Sequence, residues 1–183
     1  MKLPELIGVS GSFGSGKDSL AQVLVDEYGY TQVSTSDLVR EVAMRERGSV
    51  ERPVLREVAQ ECRERFGPGY FVEQGLDKPR PLVITGIRSL GEMKALKNAG
   101  GVMVYIDAPI EVRYQRMIDR ARDAEADITL EAFRAREEKE MYGGDSDADF
   151  NIRAIGEQAD IALMNDAGFE QFVERAIASL TTL

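Results

Sequence analysis

The chain has no histidine, which removes imidazole acid–base chemistry and histidine metal sites from consideration. It carries one cysteine, Cys62, so no internal disulfide framework can form, and a packed thiol in a reducing, cytoplasmic setting fits. No apolar stretch is long enough to span a bilayer, and the N-terminus shows no signal-peptide pattern, so no membrane partner is expected. Basic residues are the minority: 23 Lys and Arg against 32 Asp and Glu leave a net charge of −9. That balance argues against a broad nucleic-acid-binding surface. It also sets a condition, because an anionic ligand must then be met by a local cluster of arginines.

The 183 residues suffice for one domain with a sizeable core and are too few for two comfortable ones. Short β-branched runs at 6–10, 31–35, 82–85, 102–107 and 161–164 read as strands. Between them, residues 17–28, 36–47, 53–66, 89–98 and 110–122 have helical spacing, as in Leu20/Val23/Leu24. Such alternation predicts an α/β fold, a parallel sheet covered by helices on both sides, with ligands beyond the carboxyl ends of the strands. Nothing in the pattern speaks to oligomeric state.

The most informative stretch is LIGVSGSFGSGKDSL at 6–20. An apolar strand enters a glycine-rich loop and a helix follows, with the spacing Gly11, four residues, Gly16-Lys17 of a phosphate-binding loop. Glycines suit the place because their N–H groups must approach phosphate oxygens without a Cβ in the way. The helix after Lys17 adds the positive end of its dipole. Gly11, Ser12, Gly14, Ser15, Gly16, Lys17, Asp18 and Ser19 are therefore the expected contacts to ATP. Asp18 stands where the pattern asks for a hydroxyl, which comes one residue later at Ser19; this pair is the expected magnesium site.

Other motifs follow later strands. In VSTSDLVRE (33–41), Ser34, Thr35 and Ser36 can cap a helix, while Asp37 and Arg40 lie three apart on one face. A salt bridge explains that pair, and so does a second nucleotide's phosphate with a water-held magnesium. Arg88, in ITGIRS (84–89), follows the third strand at the position where ligands gather. Arg113, Arg116 and Arg120 recur at spacings of three and four, predicting a basic stripe on one helix. Asn165 to Gly168 follow the last strand, in reach of a purine. The charged segment 123–142 reads as a solvated helical excursion or as a lid carrying arginines. GGDSDAD (143–149) fails as a calcium loop, since Phe150 and Gly156 occupy the positions of its required glycine and glutamate, and it reads as a polar hinge.

Together these motifs resemble the P-loop nucleoside monophosphate kinases, in order and over nearly the whole chain. The resemblance implies a three-layer P-loop NTPase fold with a five-stranded parallel sheet, an acceptor-binding segment at 36–80 and a lid region at 110–145. VSTSDLVRE is similar to the adenylate kinase segment whose arginine binds the acceptor phosphate, which gives that role to Arg40 with Ser36 and Asp37 beside it. ITGIRS resembles the segment supplying a second such contact, Arg88. IDAPIEVRYQRMIDR resembles the helix opening the lid, giving donor-side roles to Arg116 and Arg120. DITLEAFRARE resembles the returning lid segment, with Arg134 or Arg136 folding over the phosphates. Phage-type deoxynucleoside monophosphate kinases share the Gly-Lys-Asp-Ser/Thr loop, and a group of small archaeal-type kinase-like proteins resembles the GIRSLGE…RAREEKEMYG…ADIALMN course. Dephospho-coenzyme A kinase shares the architecture, but its Asp-x-Asp after the second strand is absent here. Thr85 stands where adenylate kinases carry an aspartate that organises magnesium, so either Asp18, Asp37 or Asp107 substitutes or catalysis is weakened.

The expected activity is transfer of the γ-phosphoryl group of ATP, with magnesium, to a nucleoside or deoxynucleoside monophosphate. Lys17, Arg88, Arg116, Arg120 and Arg136 would supply the positive charge. The alternatives are a dephospho-coenzyme A kinase-like enzyme, with Asp37 as base, and a regulatory ATPase without efficient acceptor phosphorylation. Gln60, Arg63 and Tyr70 are further candidates to shape the acceptor pocket.

Overall fold

The computed structural model describes residues 2–120 and 128–182, with Arg120 described by its backbone alone. Among the described residues, β1 (Leu6–Gly11), β2 (Thr31–Ser34), β3 (Leu82–Thr85), β4 (Val102–Asp107) and β5 (Ile161–Met164) form one sheet. Their order is β2-β3-β1-β4-β5, and every pairing is parallel. The central strand β1 is buried along its whole length, as a parallel strand covered on both faces must be.

Strand alternation divides the core. Ile7, Val9, Val83, Val104 and Ile106 point to one face, where they meet Leu20 and Leu24 of α1 (Lys17–Tyr28) and Phe172 and Leu180 of α9 (Phe169–Thr181). Leu6, Leu82, Ile84 and Met103 point to the other face. There they meet Leu96 of α5 (Leu90–Asn98) and Ile155 of α8 (Ile152–Gln158). Gly8 admits that packing, because a Cβ there would lie 2.3 Å from a Leu96 methyl.

A third cluster stands apart from the sheet. It joins Val39, Val42 and Ala43 of α2 (Thr35–Arg47) to Val58, Ala59 and Cys62 of α3 (Arg52–Phe66), with Phe71 of α4 (Tyr70–Gly75) and Phe150. The expected acceptor segment at 36–80 thus supplies most of this cluster, and Phe150 completes it from outside the segment. On the other side, α6 (Ile110–Arg120) and α7 (Leu130–Met141) pack together through Tyr114 and Phe133, whose rings are 5.8 Å apart. The charged segment contains a regular helix, α7, and residues 121–127 of the lid region lie outside the described residues. The 143–149 stretch is tied at several points: Asp147 pairs with Lys94, its carbonyl accepts from Gly91 N–H, and Gly144 O accepts from Asn151 Nδ2.

Candidate active site

The carboxyl ends of the strands are stitched together by side chains. Ser10 Oγ donates to Ile87 O at 2.6 Å, fastening β1 to the segment after β3. Thr35 Oγ1 donates to Gly86 O at 2.7 Å, fastening α2 to the same segment. Ser12 Oγ donates to Asp107, which also accepts from Ala108 N–H and lies 3.5 Å from Arg113 Nε. Asn165 Nδ2 donates to Ser15 O at 2.8 Å, and its backbone N–H to Asp107 O at 2.7 Å. Ser10, Thr35 and Asn165 are short polar residues near strand ends whose side chains satisfy backbone carbonyls that the ladder no longer pairs, whereas Ser12 holds a carboxylate.

The loop from Gly11 to Lys17 lies inside these stitches. Gly11, Gly14 and Gly16 have φ of 147°, 77° and 101°, conformations open to glycine. The crowding is as restrictive as the torsions: a Cβ at Gly11 would sit 2.0 Å from Ile106 O, and one at Gly16 would sit 2.4 Å from Asn165 Nδ2. Lys17 Nζ turns back toward Ser12 O, 3.4 Å away. Ser15 Oγ is buried with no hydrogen-bond partner. Glycine backbone that a ligand can approach closely, a lysine and a buried hydroxyl without a partner fit the phosphates of a nucleotide.

Asp18 and Ser19, in the first turn of α1, line a second recess with Lys17, Gly14 and Arg116. They fit magnesium in the way that ion is usually held, by one or two protein oxygens completed by substrate phosphates. Among the described residues, no group of three or more Cys, Asp or Glu side chains could hold a metal ion by itself.

Arg116 extends from α6 to Gly14 O at 3.3 Å and Asn165 Oδ1 at 3.3 Å, so it borders the loop. Arg113 does not continue an exposed stripe. It is 6% exposed, donates to Ala108 O and Phe13 O, and forms a two-pronged pair with Glu137 of α7. Arg120 ends α6, and its side chain lies outside the described residues. The side chain of Asn165 is engaged with the loop and Arg116, so this residue holds the loop's shape.

Beyond the loop opens a chamber of about 690 Å³, walled by α2, α3, the segment after β3, and α7. Seven basic side chains line it: Arg40, Arg52, Arg56, Arg63, Arg88, Arg136 and Lys139, against the two carboxylates Glu57 and Glu140. An acidic chain has here gathered the local arginine cluster that an anionic ligand requires. Ser36 also lines the chamber, and Phe13, Val39, Leu55 and Phe150 give it an apolar wall. Arg40 is held by Asp37 at 2.6 Å, with both side chains more than half exposed. Arg136 faces the chamber, whereas Arg134 turns outward to Glu111.

Arg88 is held from three sides. Its N–H donates to Glu92 Oε2 at 2.8 Å, its carbonyl accepts from Asn151 N–H, and its guanidinium reaches Glu140 Oε2 at 3.1 Å. Arg63 and Arg88 both lie over the Phe150 ring, at 4.8 and 5.6 Å. The Arg63–Glu92 pair is 2% and 0% exposed, and Glu92 uses its second oxygen to cap the chain at Arg88 and Ser89. Glu92 and Glu140 are absent from the expectations drawn from sequence. Glu92 had a visible signal, since Ser89 three residues ahead of it marks a capping box. Glu140 had none, because it is one acid among many in a charged helix.

A family model described as an AAA domain matches residues 7–143. A UPF0200 protein of Sulfurisphaera tokodaii is 30% identical over 180 residues, covering 96% of each chain. Among solved structures, a gluconokinase from Sinorhizobium meliloti superposes with a TM-score of 0.61 at 17% identity, covering 100% of this chain and 94% of that one. A shikimate kinase from Acinetobacter baumannii in complex with shikimate gives 0.60 at 17% identity, covering 99% and 94%. At such identities the likeness concerns the fold alone, an α/β P-loop NTPase fold with a five-stranded parallel sheet.

Proposed function

The chain belongs to the AAA domain family and to the UPF0200 proteins, and from that footing we propose that it transfers the γ-phosphoryl group of ATP to a small acceptor bearing an anionic group. One observation carries the reading: the phosphate-type loop opens, past Arg88, onto a chamber lined by seven basic side chains in a chain of net charge −9. Lys17 and the loop N–H groups would hold the donor phosphates, and Arg88, Arg116 and Arg136 would spread positive charge around the transferred group. Arginine suits this task because its planar fork grips two oxygens at once. Magnesium at Asp18 and Ser19, bound together with the donor phosphates, would neutralise charge developing on them. Arg40 and Ser36 would border the acceptor, with Asp37, which does not line the chamber, holding Arg40.

The sequence resemblance implies a nucleoside or deoxynucleoside monophosphate as that acceptor. The chamber supports a ligand of this size and character, since its volume falls in the range of roughly 300–1,000 Å³ of small-molecule sites and one wall is apolar. A hydroxyl acceptor, as the names of the gluconokinase and shikimate kinase neighbours suggest, is favoured by a different observation, the Glu140 carboxylate beside Arg88.

The test is ATP turnover with and without each candidate acceptor. Acceptor-stimulated ADP formation is expected, and Lys17→Ala should lower kcat by about 100- to 1,000-fold, the usual cost of losing one such charge. Hydrolysis that no acceptor stimulates would favour the regulatory ATPase instead.

A further inference from the structure

We infer that Glu140 is the proton acceptor of the transfer step, and that the attacking oxygen is therefore a hydroxyl on a small anionic molecule. This rests on the phosphotransferase reading above and narrows it.

Glu140 lies near the end of α7 and is 24% exposed. It lines the narrow cleft that also holds Gly11, Lys17 and Arg88, and it lines the chamber that holds Ser36, Arg40 and Arg63. Its carboxylate thus stands where the donor loop and the acceptor chamber meet. Arg88 Nη1, 3.1 Å away, fixes its aim.

Among the described residues, the other carboxylates near the strand ends are engaged or misplaced: Asp18 lines neither the cleft nor the chamber, and Glu137 spends both oxygens on Arg113. Asp37 is largely exposed and lines neither the cleft that holds Lys17 nor the chamber. Asp107 accepts from Ser12 and Ala108 and pairs with Arg113. Glu92 is fully buried and spends both oxygens on Arg63 and on the N–H groups of Arg88 and Ser89. Glu57 lines the chamber without reaching the cleft that holds Lys17.

A carboxylate at the transfer point discriminates between acceptor oxygens. It repels the dianionic phosphate of a nucleoside monophosphate, which needs no base. It suits a hydroxyl, which must lose its proton as it attacks. In the step, the hydroxyl oxygen bonds to the γ-phosphorus and the bond from that phosphorus to the bridging oxygen breaks. The electron pair leaves with ADP, and the hydroxyl proton passes to a Glu140 oxygen and on to solvent. The basic chamber then holds the acceptor's own anionic group, a carboxylate or a phosphate, apart from the reacting oxygen.

The experiment uses the full chain with magnesium and ATP, offered shikimate, gluconate and sugar phosphates in one set and nucleoside monophosphates in another. Phosphorus NMR separates a phosphate ester from a phosphoanhydride. An ester from the first set is expected, with Glu140→Gln lowering kcat at least about 100-fold while the KM for ATP stays constant. Glutamine can still accept from Arg88, so the variant removes basicity and keeps the contact. An ester formed equally fast by Glu140→Gln would overturn the inference. So would an anhydride formed on nucleoside monophosphates, above all if Glu140→Gln made it faster by removing the repulsion; that result leaves the phosphotransferase reading standing. ATP hydrolysis with no transfer to either set would overturn both.

Discussion

At the scale of single residues, the site depends on charges buried in pairs. Arg63 and Glu92 are almost fully enclosed, and Glu92 at once neutralises the guanidinium and caps the chain that presents Arg88. Removing one partner strands the other in a medium that solvates it poorly. Arg63→Met should therefore cost about 3–5 kcal/mol in denaturant unfolding, and Arg63→Met/Glu92→Gln should recover part of that loss. Additive losses in the double variant would show that the pair is not coupled. Cys62, in contrast, is a packed thiol: burial first, then Glu46 and Glu61, push its pKa up, so it has none of the thiolate character of a reactive cysteine.

At the scale of elements, two helices position the site. The capping box at the start of α5 uses Ser89 to receive the Glu92 N–H at 3.2 Å, while Glu92 receives the Ser89 N–H at 3.3 Å. Ser89→Ala should cost about 1 kcal/mol of stability by thermal unfolding. It should also lower acceptor-dependent turnover more than ATP binding, because the frayed turn carries Arg88; an unchanged ratio of the two would count against that coupling. On the other side, α7 is anchored through Glu137 to Arg113, which itself donates to Phe13 O in the phosphate-type loop. Its next turn supplies Glu140. The helix read from sequence as a solvated excursion or a lid thus has one face committed to the core and to the site, with Phe133 buried beneath it.

At the scale of the whole molecule, the sheet's far edge has its own pH response. Tyr30 is buried, its hydroxyl donates to Pro4 O, and burial and then Glu5 raise its pKa from 10.0 to about 12. The folded state keeps this proton after the unfolded chain has lost it, so stability should fall as pH rises through that window, by about 2–3 kcal/mol in total. Tyr30→Phe should lose that slope in alkaline denaturant titrations; an identical slope in the variant would assign it to other groups. What the sequence determined alone is the local and periodic part. All five strands, the phosphate-type loop and the placing of Arg40, Arg88 and Arg116 after strand ends follow from alternation, glycine spacing and the rule that ligands gather at carboxyl edges. The short helices α4 and α8 are not legible that way, because six or seven residues carry too little period to read. Only the tertiary structure decided which charges meet. Glu92 finds Arg63 across 29 residues, Glu140 finds Arg88 across 52, and Asn165 finds the loop across 150. Such pairings depend on how helices pack over the sheet, and no spacing along the chain encodes them. For that reason the proposed proton acceptor, one acid among many in α7, can be singled out only once that helix is folded against Arg88.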